Sequence, residues 1–250
     1  MIDIASGHAA IDQYLADFYA RVPGMSSRFA AAICGHVIRR QTELGIAGDV
    51  IEFGTFHGRF FIAMALGLAP SENALGIDLF DWPDQTVLAS FMEYCAAAGL
   101  PRESFSAWKK DSRTIIPDEL SAKLGGRTAR FIHIDGEHSH ECLLNDLELA
   151  HAVLHPTGVI ALDDMLHPSY PTLITAVLEY LSRHSDMRVI CIIDRESITA
   201  AAKFLLCRID ATDQYEQDLM TSFAPFHFIV GSDIMGHLTL VLTPRPSPQN

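Results

Sequence analysis

The stretch Val50-Ile51-Glu52-Phe53-Gly54-Thr55-Phe56-His57-Gly58 begins as a short β-branched and aromatic run. It passes two glycines and leads at once into the apolar segment from Arg59 to Ala65. This reads as a strand, a tight turn and a helix. Glycine at 54 and 58 lets the backbone turn sharply and lets a ligand approach the peptide amides, whose partial positive charge attracts an anionic group. A plain strand-to-helix turn would use the same two residues. A dinucleotide site would need Gly-x-Gly-x-x-Gly, but Phe56 stands at its second glycine and would obstruct a pyrophosphate. The turn therefore suits a nucleoside without phosphates.

Working outward, the same alternation recurs. Candidate strands are Asp49–Phe53, Ala74–Asp78, Phe105–Trp108, Arg130–Asp135, Gly158–Leu162 and Met187–Asp194, most of them followed by turn residues and a helical stretch. Their near-continuous apolarity points to burial on both faces. The helix expected over Ser139–Leu154 carries Leu143, Leu144, Leu147, Ala150 and Leu154 on its inner stripe, with Pro156 and Gly158 to stop it. Such βαβ units make an α/β, doubly wound, mostly parallel sheet, which binds ligands beyond the carboxyl ends of its strands. Two amphipathic helices precede it. The expected divisions are an N-terminal helical cap over 1–44, a core over 45–208, an extension over 209–242 and a disordered tail over 243–250, where prolines alternate. The extension holds an apolar patch of Phe223, Phe226, Phe228 and Ile229 and an alternating run, His237–Leu242, that reads as a strand. The cap and the extension are material for a lid, an acceptor pocket or a homo-oligomer contact.

Of 250 residues, 31 are Asp or Glu and 18 are Lys or Arg, a net charge of −13. A cationic nucleic-acid surface is not expected of such a chain. Apolar residues make up 49% and charged ones 20%, enough for one sizeable core and too apolar for disorder. The longest apolar stretch, Phe60 to Pro70, falls short of the ~18 residues of a membrane span, and the N-terminus lacks the pattern of a secretory signal. No membrane partner is expected, and the cytoplasm is the expected compartment. Cys34, Cys95, Cys142, Cys191 and Cys207 are odd in number and never paired as Cys-x-x-Cys, so they read as small buried hydrophobes.

Acidic residues gather where the strands end. Asp78 closes the second strand at the distance downstream where a carboxylate accepts hydrogen bonds from ribose hydroxyls, or where it caps the next turn. Asp111 and Ser112, after the third strand, suit an adenine amino group and ring nitrogen, with Asp111 as a helix cap the competing reading. A right-handed crossover brings Asp135 to the same edge as Asp163 and Asp164. Carboxylates that close repel one another, so either a cation sits among them or some turn away to cap turns. An all-oxygen set suits Mg²⁺, with Mn²⁺ or Ca²⁺ acceptable. His138, three residues past Asp135, is placed to take a proton from a substrate hydroxyl, or is a solvated residue near a helix start. His133 alternates with apolar neighbours and reads as a satisfied interior residue.

These residues resemble the class I S-adenosylmethionine-dependent methyltransferases over roughly 45–208. The likeness rests on Glu52-Phe-Gly54-Thr-Phe-His-Gly58, on Asp78, on Asp111-Ser112, and on Asp135-Gly-Glu-His138 followed by Asp163-Asp164. The last pairing is similar to the metal-dependent branch that methylates hydroxyls of small molecules. The resemblance implies a seven-stranded Rossmann-like fold and S-adenosylmethionine bound by Glu52, Gly54, Gly58, Asp78, Asp111 and Ser112. It also implies Mg²⁺ (or Mn²⁺ or Ca²⁺) on Asp135, Asp163 and Asp164, His138 as general base, and a small-molecule hydroxyl as acceptor. Two rivals stand beside it: a metal-dependent hydrolase or oxygenase built on His133, Asp135, His138 and His140, and a catalytically silent binding protein of the same fold.

Overall fold

Side chains that alternate by two along the central strands divide between two apolar layers, and this division organises the computed structural model, which describes residues 3–197, 200–227 and 231–244. β1 (Asp49–Phe53), β4 (Ala129–Ile134) and the middle of β5 (Leu154–Met165) are buried on both faces. Val50, Phe131, Val159 and Ala161 enter one layer, while Ile51, Phe53, Ile132, Ile134, Ile160 and Leu162 enter the other. The first layer is closed by α1 (Ala9–Asp17), α2 (Arg28–Glu43), α3 (Arg59–Ala65), α4 (Val87–Ala97) and α8 (Thr212–Ser222). The second is closed by α5 (Pro117–Lys123), α6 (His140–Val153) and α7 (Thr172–Arg183).

With β2 (Ala74–Asp78), β3 (Phe105–Lys109), β6 (Met187–Ile193), β7 (Ala202–Arg208), β8 (Ser232–Ile234) and β9 (His237–Leu242), the sheet runs β3-β2-β1-β4-β5-β7-β6-β9-β8. The first five strands in this order are parallel, and the direction of winding switches between β1 and β4. β7 runs antiparallel to both β5 and β6, and β9 lies parallel to β6 with β8 antiparallel beside it. The α/β, mostly parallel, doubly wound architecture is the expected one. The sheet has nine strands instead of seven. Ala202–Arg208 escapes a reading by apolar runs because a lysine stands at its second position, and Ser232–Ile234 is too short to show a period. The segment after Arg208 adds β9 to the sheet and buries Phe223. Phe228, Ile229 and the tail from 245 onward lie outside the described residues.

Ser27 caps α2 by accepting the Ala30 amide at 3.1 Å. Ser139 caps α6, which passes straight into β5 at Leu154, so Pro156 and Gly158 belong to the strand and not to a stop loop. All five cysteines are free and buried. Among the described residues no helix is long and apolar enough to cross a membrane.

Two close approaches hold the layers in register. The fully buried guanidinium of Arg130 on β4 donates to the Ile38 carbonyl of α2 at 2.7 Å and to Glu72 at 2.6 Å. Glu72 in turn accepts the Gly48 and Ala69 amides. At the other end, Gly54 (φ +79°) lies so close to β4 that a Cβ there would stand 1.9 Å from the Asp135 carbonyl oxygen. The Asp135 amide donates to Phe53 O at 2.8 Å across the same seam.

Removing one partner of a buried ion pair leaves the other charge uncompensated. Glu72→Ala is therefore expected to lower the unfolding free energy by about 3–5 kcal/mol in urea denaturation. Gly54→Ala combines left-handed strain with overpacking and is expected to cost about 2–5 kcal/mol. A wild-type urea midpoint in either variant would contradict the contact it removes.

Candidate active site

The turn after β1 is closed by Asp78. Its Oδ2 accepts the Phe56 amide at 2.8 Å and its Oδ1 accepts the Phe80 amide at 2.6 Å, so one carboxylate at the end of β2 ties two loops together. Gly58 is the N-cap of α3 at φ +87°, where a Cβ would meet the Phe91 ring at 2.8 Å. Both glycines thus answer demands of backbone hand and packing. Phe56 lies 5.3 Å from Trp82, whose side chain is exposed beside this loop, a feature the sequence reading did not single out. Two buried polar atoms here have no protein partner, Glu52 Oε2 and His57 Nδ1. Orphaned atoms beside a carboxylate-braced glycine turn fit a ligand that brings donors, as the amino and hydroxyl groups of S-adenosylmethionine would.

Asp111 and Ser112 sit beyond β3 at the same edge. The Asp111 carboxylate caps the turn Ser112–Thr114 through the Arg113 amide at 3.0 Å and grips the Arg113 guanidinium with both oxygens, which holds its pKa below the usual value. The Ser112 carbonyl accepts from Asn145 at 3.1 Å. The competing cap reading of Asp111 describes these contacts.

At the ends of β4 and β5, Asp135, His138, Asp163 and Asp164 line one small cleft with Gly136, Glu137 and Asp146. His138 stacks on Tyr170 at 4.1 Å and contacts Asp164 Oδ2 at 2.7 Å. The close contact with the Asp164 carboxylate raises the His138 pKa, outweighing burial. Burial, and then the neighbouring Asp163, push Asp135 well above the usual carboxylate range. Burial would push Asp163 up too, yet its pKa is lowered, because Lys203 and His133 favour its charge.

Lys203 is the residue that sequence reasoning missed. Its side chain is buried, forms an ion pair with Asp163, lies 3.0 Å from His133 Nε2 and stands 4.7 Å over the Phe60 ring. His133 stacks on Phe60 at 4.0 Å and meets Glu52 Oε1 through Nδ1 at 2.7 Å. With the ammonium donating to Nε2, the Nδ1 proton goes to Glu52. Burial pushes Glu52 well up and His133 well down. A buried row, Glu52–His133–Lys203–Asp163, thus crosses the sheet from the glycine turn to the acidic cleft. Ser26, ahead of α2, adds its hydroxyl to Asp163 Oδ2 at 3.2 Å. The available signal was a charge inside the apolar run Ala200–Cys207.

This row tests the expected metal. Asp163 Oδ1 accepts the Asp164 amide at 2.8 Å, and its Oδ2 is taken by Lys203 and Ser26. Asp164 is engaged with His138. In the set Asp135, Asp163 and Asp164 an ammonium already stands against Asp163, which disfavours a hard divalent cation there, although ligand atoms of Asp135, His138 and Asp164 lie within 4.8 Å of one another. The rival hydrolase cluster is not assembled either. His140 turns to Thr175 and Glu179 of α7, at 2.9 Å each, and His133 is saturated by Glu52 and Lys203.

Residues 51–165 match the family described as "Methyltransferase domain". Among curated proteins none matches the chain. Several solved structures share its fold. The O-methyltransferase TomG from Streptomyces achromogenes, involved in tomaymycin synthesis and solved with SAM, is 17% identical, with a TM-score of 0.58 over 83% of this chain and 92% of that one. An O-methyltransferase from Bacillus cereus in complex with SAH is 14% identical, with a TM-score of 0.59 over 83% and 93%. CalS11, a TDP-rhamnose 3'-O-methyltransferase of calicheamicin biosynthesis, is 17% identical, with a TM-score of 0.56 over 77% and 85%. A glycine turn braced by the acid of β2 and an acidic cleft two strands away thus occur on a fold shared with O-methyltransferases. Residues 51–165 thus match a methyltransferase-domain family, and the chain shares the fold of O-methyltransferases solved with SAM and SAH.

Proposed function

We propose that the chain moves a methyl group from S-adenosylmethionine to a hydroxyl of a small molecule. The observation that carries this reading is the sharing of one sheet edge by two stations: Asp78 with the glycine turn, and the His138–Asp164 pair in the cleft beside Asp135. In this reading Gly54 and Gly58 shape the turn for the methionine end, with Glu52 behind it. Asp78 holds the ribose hydroxyls, and Asp111 with Ser112 borders the adenine. Bound there, the cofactor supplies a methyl on a sulfonium: the S–CH₃ bond breaks as an O–CH₃ bond forms, and the electron pair returns to sulfur.

The protein's own task is to align the acceptor, exclude water and remove a proton. Asp164 orients His138 through Nε2, which leaves Nδ1 to take the hydroxyl proton. The segment ahead of α2 reaches the Asp163 carboxylate of the cleft. Arg59 holds it by donating to the Val22 carbonyl at 2.6 Å and to Gly24 O, and Ser26 reaches Asp163. A net charge of −13 favours a small acceptor over a nucleic acid. Structural neighbours that methylate oxygen in natural-product synthesis support the same class. Five free buried cysteines agree with a reducing, cytoplasmic setting. The magnesium ion expected from the sequence has no step in this scheme.

The test is calorimetry with S-adenosylhomocysteine, followed by transfer of a labelled methyl to a panel of hydroxylated metabolites. Failure to bind S-adenosylhomocysteine would remove the proposal. Asp78→Ala is expected to weaken that binding by about 10–100-fold, the worth of hydrogen bonds to a charged group. His138→Gln is expected to spare it while lowering kcat by about 10²–10⁴-fold.

The pH profile carries a sign. Neutral His138 is the working base, and contact with Asp164 favours its charged form, so activity should rise through a pH above the ordinary imidazole value of 6.5. Asp164→Asn removes that contact and should move the rising limb to lower pH. A limb that stays in place would dissociate His138 from the proton transfer.

A further inference from the structure

The β5–β7 ladder breaks its register at one point. Leu162 pairs with Phe204 and Met165 pairs with Ala202, so two residues of β5, Asp163 and Asp164, stand opposite the single residue Lys203. This is a β-bulge, with Asp164 in the left-handed region at φ +57°. Bulges re-aim side chains beside active sites, and this one turns two consecutive carboxylates toward the cleft while the lysine enters from the partner strand.

The ligand atoms of His133, Asp135 and Asp163 lie within 4.8 Å of one another, close enough to hold a metal ion, and so do those of Asp135, His138 and Asp164, where His138 and Asp164 already pair with each other at 2.7 Å. The Lys203 ammonium is ion-paired with Asp163 and 3.0 Å from His133 Nε2, against two members of that triad. It has no route out. Lys203 is 1% exposed, its neighbours Ala202 and Phe204 are buried, and the Phe60 ring covers it at 4.7 Å. A divalent ion entering here would face a fixed positive charge that could not swing into water. An ammonium also meets what the carboxylates require, since it supplies positive charge and donors without a vacant coordination position.

We infer that Lys203 is the fixed cation of this active site, occupying the triad where a divalent metal would otherwise be held, and that cofactor binding and methyl transfer proceed without such a metal. The inference rests on the methyl-transfer reading for its second half only. Lys203 acts through Asp163 and is a positioning residue.

The experiment uses the full chain dialysed against EDTA, with Mn²⁺ as the probe and the free-ion electron paramagnetic resonance signal as the readout. The wild-type chain is expected to keep its S-adenosylhomocysteine affinity within about twofold after EDTA and to leave the Mn²⁺ signal undiminished. Lys203→Met leaves Asp163 uncompensated and is expected to bind Mn²⁺ at least about tenfold more tightly than wild type, with a melting temperature that Mn²⁺ raises. Lys203→Arg keeps the charge and should take up Mn²⁺ no better than wild type. Should Lys203→Met not fold, the wild-type and Lys203→Arg titrations still decide. Stoichiometric Mn²⁺ binding by wild type that Asp135→Asn abolishes, or loss of S-adenosylhomocysteine affinity after EDTA, overturns the inference. A wild-type chain that never binds S-adenosylhomocysteine defeats the methyl-transfer reading instead, while the Mn²⁺ titration continues to report on Lys203.

Discussion

An ammonium group taken out of water must find negative charge and acceptors in the interior, and Lys203 finds both in Asp163 and His133. The rest of the site is arranged around that requirement. Asp163 needs β5 to bulge, His133 needs Glu52 to hold its other nitrogen, and Glu52 needs β1 beside β4. All four side chains lie on the sheet face that carries Val50, Phe131 and Ala161, beneath the helices of the first apolar layer. The carboxyl edge of the sheet is therefore anchored by a charged row inside the core, and the packing of Phe60 on His133 belongs to it.

Similar logic operates at the opposite end of the strands, where Arg130 and Glu72 carry opposite charges through the interior and fasten α2 to β4 and to the loop ahead of β2. Buried pairs of this kind add little net stability compared with apolar replacements, but they penalise every arrangement that separates the partners. Together with the contact of Gly54 against Asp135, they specify the β1–β4 register from both ends. The glycine turn and the acidic cleft therefore keep a fixed spacing, which the proposed in-line transfer between two bound molecules requires.

Much of this was legible in residues. Alternating apolar runs identified the parallel strands, and Ser139 stands at a real helix start. Asp78, Asp135, Asp163, Asp164 and His138 stand out in the sequence because turn residues and acids recur at strand ends, and the fold places them at one sheet edge. Asp111 carried two readings in the sequence, and its grip on Arg113 two residues away is a local contact that spacing could not rank. His140 looked like a partner of His138, but the first turn of α6 points it at α7.

By itself the sequence determined the βαβ order, the two-sided burial of the strands and the gathering of acids at one edge, because these follow from local periodicity and chain direction. Tertiary structure alone decided what neutralises those acids. Lys203 stands 40 residues after Asp163 on a strand that its own charge disguised, and an antiparallel pairing with a one-residue bulge sets the two face to face. Charge compensation depends on distances in space, and no spacing along the chain reports it.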